Sequence, residues 1–239
     1  MKKISISILF IFLFSAFLLA KDNPKSLSER ADFYKTRYKI SNQSDKIVDN
    51  FGNGYDALYG VRNMRTILFG IAYRGGGNNF YHKTNKRDNQ MPLPQDGLQN
   101  LANEGFSYAV YLYGKNFENS PAKVISENKK DTLRYIQNTL SNNKQIRELL
   151  DLVYKVIKTP GKGPVYLHCW NGWHQSGYAS ALLLMQFCDY SNAEAADYWR
   201  KHADGGTKGY EHIVKKINEF KPYPDLKISK EEQKILIGK

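Results

Sequence analysis

The spacing of apolar residues changes period several times along the chain, and each change falls at a glycine, proline or polar break. Residues 66–73 are β-branched and aromatic and predict a strand. Gly75-Gly76-Gly77-Asn78-Asn79 breaks it and reads as a flexible turn. The cluster lacks the Lys-Ser/Thr ending of a nucleotide P-loop. A short helix opens at Gln95 with Asp96 as its N-cap, and Gly105 ends it. Residues 106–113 alternate aromatic with small apolar side chains, the pattern of a buried strand. A polar stretch, 114–131, is long for a loop inside a compact domain and is therefore a functional candidate. Residues 132–140 fit a strand or a helix. Ile146, Leu149, Leu150, Val153, Val156 and Ile157 form one helical stripe. A turn at 159–163 leads to an apolar strand, a loop and an apolar helix. Ser191 or Asn192 caps a further helix to about His202, and a last helix spans 209–220. Strands alternating with helices predict an α/β domain, a central sheet flanked by helices.

The ends read differently. Lys2 and Lys3 precede an apolar run at 4–19, and Ala20 precedes Lys21-Asp22, the layout of a secretory signal peptide over 1–20. The alternative is an uncleaved anchor, for which the run is short. No cysteine lies near the cleavage point, which argues against a lipid anchor. The expectation is an exported protein, periplasmic or secreted, with no stable membrane insertion after cleavage. Residues 21–59 read as a polar lead-in and 222–239 as a polar tail.

The formal charge of +12 favours acidic ligands. The lysines are scattered, which gives no support to specific nucleic-acid binding. Cys169 and Cys188 are the two cysteines. A helix between them would separate them by on the order of 20 Å, far beyond disulfide reach. Cys-x-x-Cys is absent, which disfavours thiol redox chemistry.

Val165 to Gly177 carries the chemistry. A strand ends in His168-Cys169, then a tight loop holding Gly172 enters a helix near Ser176-Gly177. This layout puts a thiol beside backbone N–H groups at a helix N-terminus, a ready site for phosphate. The same groups favour a thiolate. Trp170 and Trp173 flank the loop as packing groups or as a pocket wall.

His168-Cys169, five residues, Gln175 and Ser176-Gly177 resemble the active-site loop of the cysteine-dependent protein tyrosine and dual-specificity phosphatases. That pattern is His-Cys, five residues, Arg, then Ser or Thr. Gly97, Leu98, Leu101 and Gly105, the helix at 144–157 and Tyr73-Arg74 are similar to the family's upstream elements, so the resemblance spans about 60–221. It implies an α/β fold with the loop at the C-terminal edge of a central strand. It implies that Cys169 attacks phosphorus to form a phosphocysteine, that His168 orients the loop, and that Ser176 bonds the sulfur. Trp170, Asn171, Gly172, Trp173, His174, Gln175 and Gly177 would form the phosphate-binding loop. No cofactor and no metal are implied.

Two departures matter. Gln175 stands where the family has arginine, and a neutral amide does not replace a planar cation. A protonated His174 or an incoming Arg74 are the candidates to restore charge. The family's acid should fall near 137–143, where no carboxylate occurs, leaving Asp131 or Glu127 from the polar loop. The expected function is therefore a slow or atypical phosphatase acting on a phosphomonoester. The alternative is a pseudophosphatase that binds a phosphorylated small molecule or phosphoprotein without turning it over.

Overall fold

The computed structural model describes residues 26–43, 45–78 and 92–238. The expected signal peptide and Asn79 lie outside the described residues. The chain builds a seven-stranded mixed sheet in the order β1-β2-β3-β7-β4-β6-β5. Its strands are β1 (Lys46–Val48), β2 (Val61–Leu68), β3 (Ala72–Gly77), β4 (Tyr108–Tyr111), β5 (Lys123–Ile125), β6 (Thr132–Gln137) and β7 (Val165–Cys169). Parallel β3, β7, β4 and β6 form its centre, and β1–β2 and β5 add antiparallel edges. The helices are α1 (Leu27–Tyr38), α2 (Gln95–Asn103), α3 (Asn143–Lys158), α4 (Gln175–Cys188), α5 (Asn192–Lys201), α6 (Glu211–Glu219) and α7 (Lys230–Ile237).

The strand period of two divides the core. Val165 and Leu167 of β7 face the cluster formed with α3 to α6, while Tyr166 between them faces the aromatic cluster formed with α1 and α2. The amphipathic stripe of α3 lies as its sequence predicts, with Asn142 as N-cap. α4 is buried along its length, as an apolar helix must be. A full capping box at Ser191 starts α5. No disulfide joins Cys169 and Cys188, which stand at the two ends of the loop–α4 unit.

Several expectations give way. The single strand at 66–73 is two, turning at Phe69-Gly70-Ile71. Phe69 and Ile71 are fully buried, so apolar character hid the turn, and Gly70 takes it at φ 70°. The glycine cluster is the buried end of β3, not a flexible turn. Pro94, not Asp96, is the N-cap of α2, and Asp96 lies in its first turn. The polar loop contains β5. Residues 132–140 resolve into β6 and a turn. The flanks belong to the domain: α1 buries Tyr34 and Tyr38 against Tyr73, and Leu236 of α7 is fully buried.

Candidate active site

Cys169 ends β7 at the C-terminal edge of the parallel strands and is 7 % exposed. Its Sγ lies 3.6 Å from Ser176 Oγ in the first turn of α4. His168 is fully buried, stacked among Tyr111, Tyr135 and Tyr166. Burial pushes its pKa down to about 3, against a small opposing effect of the Cys169 carbonyl. The ring is therefore neutral. Its Nδ1–H donates to the Cys169 carbonyl at 3.2 Å, since a carbonyl can only accept. Nε2 then accepts from the Tyr135 hydroxyl at 2.9 Å, which itself accepts from the Leu93 N–H. His168 thus orients the start of the loop and adds no positive charge.

The loop rests on β3. Gly172 has φ 76°, and a Cβ there would meet the Gly75 carbonyl carbon at 2.5 Å. A Cβ on Gly76 would meet the Trp170 carbonyl oxygen at 2.4 Å. This close approach of two backbones explains the glycine run. Side chains of β2 and β3 grip the loop's carbonyls. Asn63 Nδ2 donates to those of Asn171 and Gly172, at 3.3 and 3.0 Å. Arg74 Nη2 donates to those of Gly172 and Trp173, at 2.6 and 2.9 Å. In a planar trans peptide the N–H points opposite its carbonyl. Holding these carbonyls outward therefore turns the N–H groups of Gly172, Trp173 and His174 to the loop's inner side. The first N–H groups of α4 add to them, because they have no partner within the helix and no side chain caps it. The result is a ring of donors around a thiol.

The positive charge lies on the same two strands. Arg62, Arg65 and Arg74 are all at most 3 % exposed. Arg62 Nη1 reaches Asn171 Oδ1 at 3.4 Å. Arg65 bridges Asn63 Oδ1 and Asp204 at 3.0 and 2.9 Å, and Lys46 also pairs with Asp204. Sequence reasoning raised Arg74 alone and missed Arg62, Asn63, Arg65 and Asp204. Charged residues recurring in otherwise apolar strands were the available signal.

Gln175 does not face the loop interior with its amide: Nε2 donates to the Thr139 carbonyl at 2.8 Å. His174 donates through Nε2 to the Gly206 carbonyl at 2.7 Å and stacks on Tyr210 at 3.5 Å. Burial lowers its pKa, and Arg74 nearby adds to the effect, so it does not replace the missing cation. Trp170 donates to the Tyr111 hydroxyl and packs on Tyr113, with ring centres 4.0 Å apart. Trp173 packs its face on Gly205. Both tryptophans are packing groups, and Trp170 with Tyr113 also borders the loop.

The structure does not bring Asp131 to the cysteine. By strand register Gln137 is level with His168, and Asp131 lies six residues earlier, about 20 Å down the sheet. There it lines a cavity with Arg30, Arg37, Glu104 and Lys162. Glu127 lies on the same β5–β6 turn, its N–H bound by Asn103. The segment anticipated to carry the acid, 137–143, does stand beside α4 through the Gln175–Thr139 bond. Among the described residues no cluster of metal-ligating side chains occurs.

No family model and no curated protein matches the chain. Solved structures are similar at low identity. The core catalytic domain of the PP-IP phosphatase SIW14 from S. cerevisiae, in complex with citrate, is 15 % identical with a TM-score of 0.45. The match covers 67 % of this chain and 86 % of that one. A glycine-to-alanine mutant form of Tk-PTP is 18 % identical with a TM-score of 0.41, covering 63 % of this chain and 91 % of that one.

Proposed function

We propose that this protein is an exported cysteine-loop phosphatase that acts on a phosphomonoester through a phosphocysteine intermediate. The carrying observation is the loop itself: Cys169 and Ser176 3.6 Å apart at the open N-terminus of α4, within inward-turned N–H groups. Cys169 Sγ forms a bond to phosphorus as the ester P–O bond breaks, and the electron pair leaves on the ester oxygen. Water then attacks phosphorus, the P–S bond breaks, and Ser176 donates to the departing sulfur. Inward N–H groups hold the equatorial oxygens throughout, the usual role of an oxyanion-binding ring.

Asp204 is held by Arg65 and Lys46. Glu118, on the stretch after β4, acts electrostatically on Tyr111, whose hydroxyl accepts from Trp170 of the loop, and is the carboxylate this reading offers as proton donor. The observation favouring a second reading is Gln175, turned to the Thr139 carbonyl and carrying no charge. On that reading the loop binds a phosphorylated small molecule or phosphoprotein and leaves it intact.

Hydrolysis of para-nitrophenyl phosphate by the purified protein, from acid to mildly alkaline pH and beside Cys169→Ser, separates the two. Turnover that vanishes in the variant supports the phosphatase. Equal background rates in both, with tungstate still protecting Cys169 from alkylation, would leave the binding protein. Export is tested by the N-terminal residue of the protein recovered from its native host, expected at Lys21.

A further inference from the structure

Arg74 is fully buried, and its position in β3 is level with Leu167, two residues before Cys169. Its Nη2 donates to the carbonyls of Gly172, Trp173 and His202. Its Nε and Nη1 are buried and have no partner. Among the described residues no carboxylate is bonded to it. A Cβ on Gly177 would lie 3.3 Å from Arg74 Nη2, so the guanidinium stands against the first turn of α4. That end of a helix carries about half a positive charge. The His202 carbonyl is the C-cap of α5, the negative end of that helix, so Arg74 lies between a negative helix pole and a positive one.

We infer that Arg74 is the positioning cation of this loop, standing in from β3 for the arginine that Gln175 replaces. The inference rests on the function proposed above and deepens it. Arg74 acts in two ways. Its Nη2 holds two loop carbonyls outward, which turns N–H groups inward. Its charge lies beneath the loop and favours a doubly charged tetrahedral oxyanion over a neutral ligand. A cation gripping the loop from behind leaves the mouth of the site free of a side chain that the family's arginine would occupy.

The test is alkylation of Cys169 by iodoacetamide, followed on its own peptide across pH, with and without tungstate. Wild type, Arg74→Gln and Arg74→Lys are compared. Arg74→Gln should weaken tungstate protection by about tenfold or more, as expected when a buried group organising several donors is lost. Arg74→Lys keeps the charge on a shorter head that does not reach both carbonyls in the same way, so it should lose part of the tungstate affinity, though less than Arg74→Gln. A Gln variant matching wild type in tungstate protection overturns the inference while the phosphatase reading stands. A Lys variant that loses as much as Gln overturns the part played by charge. Should Arg74→Gln not fold, the Lys variant decides: unchanged tungstate affinity there overturns the positioning of the loop by Nη2. Wild type that tungstate does not protect overturns both this inference and the functional reading.

Discussion

Arg30 and Arg74 are both buried arginines bonded to backbone carbonyls, at opposite edges of one sheet. Arg30 reaches the carbonyls of Val156, Ile157 and Lys162, at 2.7, 2.8 and 3.0 Å. Two of these belong to the last turn of α3, the negative end of a helix, which meets the charge of the guanidinium. Arg30 therefore completes a structural joint and needs nothing from outside. Arg74 makes a similar set of bonds, one of them to the C-cap carbonyl of α5, but its guanidinium also stands against the first turn of α4, where the backbone dipole has the opposite sign. The same residue type closes a joint at one edge and prepares an anion site at the other. Both meet a helix C-terminus; what differs is that Arg74 also meets a helix N-terminus and the loop that enters it.

The largest effect should come from the structural joint. Arg30→Met leaves three carbonyls without their donor. It should destabilise the fold by about 3–5 kcal/mol, from three acceptors left unmet at about 1–3 kcal/mol each. Urea unfolding measures this, and Cys169 alkylation in the folded fraction should not change. A change in alkylation would mean that the two edges are coupled and the contrast is false.

Gly76→Ala tests the loop's seat. The new Cβ would overlap the Trp170 carbonyl oxygen and the Asn171 carbonyl carbon, both backbone atoms that cannot step aside cheaply. We expect a loss of about 3 kcal/mol, at the upper end for overpacking. Unlike Arg30→Met, this variant should also lose tungstate protection. Retained protection would show that β3 does not set the loop.

Acid should weaken the loop edge. Burial holds His168 at about pKa 3 and His202 at about 4, with Arg65 and Arg74 adding to the latter. Unfolded histidines bind protons near pH 6.5, whereas these native ones do not until far lower pH. Stability that is complete above the ordinary histidine range is therefore lost as pH falls below it, toward 4 and then 3. Between about pH 7.5 and 5.5 the two together should remove about 2–3 kcal/mol. Urea midpoints at the two pH values check this, and His202→Asn should remove about half of the change. An undiminished pH dependence in that variant would remove His202 from the account.

The α/β class, the strand–loop–helix unit and the cysteine–histidine–serine set were legible because each is local. Periodicity marks α3, a capping box marks α5, and the loop's residues are contiguous. What was not legible depends on neighbours distant in sequence. The turn at Gly70 is apolar because α1 covers it. Gly75, Gly76 and Gly77 read as a turn because glycine alone does not tell a flexible chain from a close backbone approach. Arg62, Asn63 and Arg65 become site residues only when β2 and β3 lie beside the loop. The polar loop offers Asp131 in place of the missing acid, but parallel strand order puts it at the sheet's other edge.

The smallest effect sharpens the comparison most directly. Gln175 occupies the position from which the resemblance expects an arginine, yet its amide is bound to the Thr139 carbonyl. If charge comes from Arg74, Gln175 serves only to tie α4 to the turn after β6. Gln175→Ala should then lower stability by about 1 kcal/mol, one hydrogen bond, and leave tungstate affinity within about twofold. Gln175→Arg adds a second cation at the mouth of a loop already charged from beneath. It should raise tungstate affinity and, if leaving-group departure permits, para-nitrophenyl phosphate turnover. A large loss of affinity in Gln175→Ala would place the anion contact on Gln175 itself, and Arg74 would become a structural joint of the same kind as Arg30.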